Sequence, residues 1–235
     1  MFWELSRTLS WVNKPAMFRR LAPVYFSKDV FYAFLLAFGL GGCGSEDTVC
    51  TASWFATNVV STAWGTGQSF GRNEMPKVVL GPPQGGGCCN GSLDVVSLGN
   101  GGSVVLGFER RILDGPGADF VVFENPFEFA NDLYAELGTV EVSDDGVNFR
   151  AFPCTAVTSP FGRCAGWHPV FLNGVEQPVI PSNAGGDAFD LGEVGLTEAA
   201  FVRVTDRVDI DPPDHGSFDL DAVGIVHGSE CGAAP

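Results

Sequence analysis

The chain has 235 residues, of which 45% are hydrophobic and 17% are charged, so the composition excludes a disordered chain and a coiled coil. Lys and Arg together number 13 against 28 for Asp and Glu. From residue 43 onward 8 basic residues face 26 acidic ones, which gives a net charge of 8 − 26 = −18. A surface this acidic repels phosphate backbones, which argues against nucleic acid as a partner.

The first 42 residues are predicted to be a secretory signal peptide. Arg19, Arg20 and Lys28 form its basic start, and residues 30–42 form an uncharged, mostly apolar run of 13 residues. This run is well short of the roughly 20 residues that cross a bilayer as a helix. The stretch before Met17 adds nothing to a signal peptide, which makes Met17 a candidate start of translation.

The signal peptide ends in Leu40-Gly41-Gly42-Cys43, which resembles the lipobox of bacterial lipoproteins. The resemblance implies that the Cys43 thiol receives diacylglycerol, that the signal is cut before it, and that residues 43–50 form a lipidated tether. An ordinary cleaved signal with an incidental cysteine is the alternative. Gly44 stands where enterobacterial inner-membrane lipoproteins carry aspartate. The resemblance therefore favours the cell envelope at the outer membrane, on its periplasmic or surface side.

The remaining cysteines agree with export. Six are left once Cys43 is set aside, an even number that is consistent with three disulfides in an oxidising compartment. Cys154 and Cys164 flank a loop containing Pro and Gly and form the easiest local pair. The adjacent Cys88 and Cys89 lack CxxC spacing, which disfavours zinc. We expect this adjacent pair to reach the two cysteines near the ends of the domain, Cys50 and Cys231.

Residues 51–231 are predicted to form a single all-β domain, a sandwich or a barrel. Apolar and polar residues alternate in short runs separated by turn residues, and no long amphipathic helix is indicated. Two short segments, 127–134 and 192–199, are predicted to form a helical turn each. The predicted strands are 103–108, 139–143 and 201–205, each with one inward face, and the apolar 119–123, expected to be a central strand covered on both faces.

Four segments give a family resemblance. Residues 142–149, with Ser143, Asp145 and Gly146 at the turn, resemble the strand, turn and returning strand of discoidin-type and other galactose-binding-like domains. Residues 97–108 resemble their opening strand, and residues 201–206 followed by 216–223 resemble their last strands. The resemblance implies a jelly-roll β-sandwich. The fuller pattern, including residues 117–125, is similar to bacterial cell-surface proteins and lipoproteins of unassigned activity.

Enzyme motifs are absent from the sequence. It contains no HExxH, no G-x-S-x-G elbow, no P-loop and no Rossmann glycine pattern. Its only histidines are His168, His215 and His227, and nothing marks a nucleophile. The sequence therefore predicts a non-enzymatic protein, with a hydrolase as the less favoured alternative.

Clustered carboxylates predict a structural calcium ion, because hard cations prefer carboxylate and carbonyl oxygens at turns. Acidic residues beside buried aliphatic strands also require a cation or hydrogen-bond donors, since an unpaired buried charge is very costly. The alternative is a solvated acidic face neutralised by Arg203, Arg207 or backbone N–H groups. The predicted calcium ligands are drawn from Asp114, Asp119, Glu124, Asp219 and Asp221.

Sugar-binding jelly rolls stack an aromatic side chain on the apolar face of a pyranose and frame it with polar groups. Trp54, Trp64, Trp167 and Tyr134 are candidates, and core packing is the alternative role for each. Trp167 with Arg163 is the nearest approach to such a pair and is the predicted ligand-binding site. By analogy with the fold, the sequence predicts a lipid-anchored module that binds carbohydrate at the envelope or outside the cell. The alternative is a structural or adhesion lipoprotein that contacts other proteins.

Overall fold

The structure is a computed structural model that describes residues 51–84, 92–124, 126–129, 132–209 and 216–230. The chain divides into two units, Met1–Asp47 and Thr48–Pro235, and all described residues belong to the second. The predicted signal peptide, Cys43 and four of the predicted disulfide cysteines (Cys50, Cys88, Cys89 and Cys231) lie outside the described residues.

Short strands dominate the described residues, as the alternating sequence predicts. In chain order they are β1 (Asn58–Ala63), β2 (Val96–Ser97), β3 (Ser103–Leu113), β4 (Phe120–Phe123), β5 (Phe127–Phe129), β6 (Asp132–Tyr134), β7 (Gly138–Ser143), β8 (Arg150–Ala151), β9 (Asp187–Phe189), β10 (Glu198–Asp206), β11 (Asp219–Leu220) and β12 (Ala222–Ile225).

The largest sheet has five antiparallel strands in the order β1-β3-β10-β7-β8. Its central strand β10 pairs Val202 with Leu106 of β3 and with Val142 of β7, so three inward-facing aliphatic side chains lie side by side. All three are fully buried. The predicted inward faces of these strands are therefore confirmed.

A three-stranded antiparallel sheet, in the order β12-β4-β9, lies against the other side of this core. All four residues of β4 are buried. Phe120 and Val122 pack into the main hydrophobic core with the five-stranded sheet, whereas Val121 and Phe123 pack into a second cluster on the opposite face. The prediction of a central strand covered on both faces is confirmed, and so is the all-β sandwich.

Helical segments are short. A four-residue helix α1 spans Pro181–Ala184, and single 3-10 turns span Arg72–Glu74, Lys77–Val79 and Leu191–Val194. Among the residues described, none of the helical segments has the length and apolar character needed to cross a bilayer.

The two predicted helical turns have different outcomes. The prediction over 192–199 is confirmed only at its start, because Leu191–Val194 is a 3-10 turn and β10 begins at Glu198. The prediction over 127–134 is wrong, because β5 and β6 pair there as an antiparallel ribbon in which Phe127 is opposite Tyr134. The aromatic residues of this segment favour extended structure over a helical turn.

Candidate functional site

A pocket of about 290 Å³ lies between the loop that follows β8 and strand β9. Both residues of the predicted ligand pair, Arg163 and Trp167, contribute to its lining. Whether this pair binds a ligand stays a prediction. The other lining residues are Gly162, Cys164, His168, Gly186, Asp187, Ala188 and Phe189.

Asp187 is the buried polar centre of the pocket, with an exposed fraction of only 3%. Its Oδ2 accepts hydrogen bonds from the backbone N–H groups of Gly166 at 2.7 Å and Trp167 at 3.2 Å. Its Oδ1 lies 2.7 Å from Nδ1 of His168. Burial raises the pKa of the Asp187 carboxyl, and the hydrogen bond and charge of His168 oppose that rise.

Gly166 explains how the chain brings two N–H groups to one carboxylate oxygen. Its φ is +92°, and a Cβ there would lie 2.0 Å from the carbonyl oxygen of Glu136. A side chain is therefore excluded both by the left-handed backbone and by the close approach of another segment. The turn that presents Trp167 and His168 to the pocket depends on this glycine.

Trp167 is half-buried. Its exposure is therefore intermediate between that of a fully exposed sugar platform and that of a core residue, the two roles considered from the sequence. Its Nε1 donates to the carbonyl oxygen of Cys164 at 2.9 Å, and its ring contacts the imidazole of His168, with centroids 3.7 Å apart. Phe161 packs against it edge-on at 6.0 Å. The indole is thus held in place by three neighbours while part of it remains at the pocket surface.

Arg163 is exposed at the rim. Its guanidinium forms an ion pair with Glu193 and lies 3.4 Å from the carbonyl oxygen of Ala188. An exposed pair of this kind contributes little to stability. It does keep the guanidinium beside the pocket, where a ligand can reach it.

A disulfide supports the pocket from below. Cys154 and Cys164 are bonded, which confirms the predicted local pair. The bond packs with Leu137 and is covered in part by Trp167. Nη1 of the buried Arg207 lies 3.4 Å from each sulfur. The loop that carries Arg163 is therefore closed covalently at its base.

The predicted calcium ligands do not gather at one place. Asp114 and Asp119 lie together with Asp190, and oxygens of the three carboxylates are all within 4.8 Å of one another. Asp119 is fully buried, and its Oδ1 accepts from Gly115 N at 2.8 Å and faces Nδ1 of His227 at 2.8 Å. Asp190 had no sequence feature that set it apart from other surface acids.

The other three predicted ligands lie outside that group. The Asp221 carboxyl is buried and accepts from the backbone N–H of Gln84 at 3.2 Å, and burial raises its pKa to about 7, with Asp94 adding to the shift. Burial likewise raises the pKa of Asp219 to about 6. Glu124, which follows β4, is also buried.

Sequence reasoning missed His168 and Asp187 as a pair. They are separated by 19 residues, and no local motif links them. The one sequence feature that could have indicated His168 is its position directly after Trp167. No protein-family model matches the chain, and no curated protein matches it significantly.

Proposed function

We propose that this protein is a lipid-anchored, exported, non-enzymatic module that binds carbohydrate at the cell envelope or outside the cell. The observation that supports it best is the shared pocket of Arg163, Trp167, His168 and Asp187. We further propose that the sandwich is a galactose-binding-like jelly roll. The antiparallel five-stranded and three-stranded sheets around one core are compatible with that topology.

The pocket suits a sugar because it combines an aromatic surface with polar groups held in fixed positions. Binding sites of this kind use apolar contact for affinity and a few oriented hydrogen bonds for specificity. Trp167 and the imidazole of His168 supply the flat surface, and Arg163 supplies N–H donors at the rim. The pocket volume of about 290 Å³ is at the lower end for ligand sites, which matches one or two sugar rings.

Removing the indole is expected to abolish most of the binding. Trp167→Ala should lower the affinity for the glycan that binds best on an array by at least about tenfold, because aromatic contacts dominate such sites. Arg163→Gln removes the cation at the rim and leaves the buried residues unchanged, so it should lower this affinity less. Isothermal titration calorimetry measures both effects.

Phe70→Ala is the matched control for the indole, since Phe70 is an aromatic residue with 40% exposure that does not line the pocket. This variant should bind like the wild type. Wild-type affinity in Trp167→Ala, or no binding across a broad array, would contradict the carbohydrate proposal.

A protein-contact role is the second candidate function. Three large apolar side chains in one loop, Phe171, Val175 and Ile180, are 45–53% exposed. Exposed apolar groups that form one patch are typical of contact surfaces, and these three residues lie within ten positions of one another in the sequence. An array without glycan binding would shift the proposal to this adhesion role.

The lipid anchor rests on Cys43, which lies outside the described residues. Two or three acyl chains, unlike a single one, give stable membrane attachment. Cells that express the wild type should incorporate a labelled fatty acid into the protein, and Cys43→Ala should not. Labelling that persists in Cys43→Ala would show that the anchor is wrong.

Calcium stays a prediction, and we propose Asp114, Asp119 and Asp190 as its site. Both oxygens of Asp119 already have partners, since Oδ1 accepts a backbone N–H and faces an imidazole nitrogen and Oδ2 accepts from Leu191 N at 2.7 Å. We therefore expect Asp114 and Asp190 to be the direct ligands of the ion. Millimolar Ca²⁺ should raise the melting temperature by a few degrees and EDTA should reverse it, since a ligand of the folded state adds about 2.7 kcal/mol at a hundred times its Kd.

The calcium response should disappear in Asp114→Asn. It should remain in Asp144→Asn, because Asp144 is an exposed acid that forms an ion pair with Arg111 and is not part of the three-aspartate group. Identical melting curves in Ca²⁺ and EDTA would remove the site.

A further inference from the structure

The hydrogen bonds around Asp187 determine which nitrogen of His168 carries a proton. Oδ2 accepts hydrogen bonds from the N–H groups of Gly166 and Trp167, and Oδ1 lies 2.7 Å from Nδ1 of the imidazole. We take this carboxylate to be ionised, because the two backbone N–H groups and the imidazole all oppose the effect of burial on the pKa of Asp187. An ionised carboxylate can only accept hydrogen bonds, so Nδ1 has to donate. In the neutral ring the proton then resides on Nδ1, and Nε2 keeps its lone pair.

Nε2 is the atom that a ligand can reach. The two ring nitrogens point away from each other, and Nδ1 points to a carboxylate that is 3% exposed. His168 itself lines the pocket, and its side chain is 49% exposed. Contact between the imidazole and Trp167, at 3.7 Å between centroids, limits rotation of the ring.

We propose that Asp187 is a positioning residue that presents Nε2 of His168 as a hydrogen-bond acceptor for a hydroxyl group of a neutral sugar. This inference rests on the proposed carbohydrate function and specifies its ligand class. It makes His168 the residue that selects for a hydroxyl donor, beside the aromatic surface of Trp167.

The charges around the pocket favour a neutral ligand over an acidic one. The cation at the rim, Arg163, is neutralised by its ion pair with Glu193. The chain from residue 43 onward carries a net charge of −18. An anionic sugar would therefore meet a repulsive field and, at His168, an acceptor nitrogen that cannot hydrogen-bond to the oxygens of a carboxylate or a sulfate.

An isosteric change tests this arrangement directly. In Asp187→Asn the position of Oδ2 still faces two N–H donors, so the amide oxygen must take that place. The amide NH₂ then faces Nδ1, which has to accept, and the ring proton moves to Nε2. The substitution keeps the shape of the site and converts Nε2 from an acceptor into a donor.

The first measurement is the tautomer of the neutral form of His168, read from imidazole ¹⁵N chemical shifts of the full chain in detergent, which distinguish the neutral tautomers from the protonated ring. We expect the Nδ1–H form in the wild type and the Nε2–H form in Asp187→Asn. The control Asp144→Asn should keep the wild-type tautomer. An Nε2–H ring in the wild type would overturn the proposal without any reference to sugar.

The second measurement is binding to paired neutral and uronic or sulfated glycans. Neutral glycans should bind, and Asp187→Asn should weaken them at least about tenfold. His168→Phe should do the same, because it keeps a ring against Trp167 and removes both nitrogens. Binding that survives both substitutions would overturn this inference while the carbohydrate function stands. Preference for acidic glycans would also overturn it, and no glycan binding at all would overturn both.

Discussion

Replacing Phe120 by Ala is expected to destabilise the domain by about 3–5 kcal/mol, the usual cost of deleting a buried phenyl ring. Phe120 is fully buried on β4, stacked on Phe189 of β9 at 5.2 Å between centroids and contacted edge-on by Phe152 at 5.9 Å. The cavity would open between the two sheets, where neighbouring strands cannot collapse into it. Urea denaturation followed by tryptophan fluorescence measures the loss.

The matched control is Phe70→Ala, because Phe70 is 40% exposed and lies outside the core clusters of the described residues. Surface substitutions of this kind stay within about 0.5 kcal/mol. A loss below about 1 kcal/mol for Phe120→Ala would show that the aromatic cluster is not the centre of the core.

Stability is expected to fall as the pH rises from about 4 to about 8, and Asp221 should be a principal cause. Burial raises the pKa of Asp221 from its ordinary value of 3.8 to about 7, and that of Asp219 to about 6. The folded state therefore keeps these protons over a range in which the unfolded chain has lost them. The stability that results is complete below pH 3.8 and is lost as the pH passes through 6 and 7.

The change for Asp221 is on the order of 4 kcal/mol, since its pKa rises from 3.8 to about 7 and each pKa unit corresponds to about 1.4 kcal/mol. Asp221→Asn should therefore match the wild type near pH 4 and exceed its free energy of unfolding at pH 7.5, both in EDTA. The amide oxygen can still accept from Gln84 N, so the substitution removes the charge and keeps that bond.

Asp144→Asn, at an exposed position, should follow the wild-type pH profile. If Asp221→Asn and the wild type differ by the same amount at pH 4 and pH 7.5, the buried carboxylate is not the group responsible.

The strands could be predicted from the sequence because each one carries its own information. Alternation placed Val202 and Val204 inward without knowledge of their partners, and the unbroken apolar run of β4 indicated burial on both faces. The ribbon of β5 and β6 was missed because its three-residue strands are too short for a periodicity to be distinguished from a helical turn.

The candidate site could be predicted only in part, because its chemistry depends on contacts that are distant in sequence. Arg163 and Trp167 lie four residues apart, so their proximity was visible. His168 and Asp187 meet only because the turn at Gly166 is packed against strand β9. In the same way Asp190 joins Asp114 and Asp119 across more than 70 residues.

The disulfide under the pocket also determines when the site can be complete. The bond between Cys154 and Cys164 packs beneath Trp167, and Cys164 itself forms part of the pocket wall. Disulfides form in oxidising compartments and are rare in the cytosol. A chain in a reducing compartment therefore has two separate thiols where the oxidised protein has a covalent support, so the pocket reaches its final form only when Cys154 and Cys164 are oxidised to the disulfide.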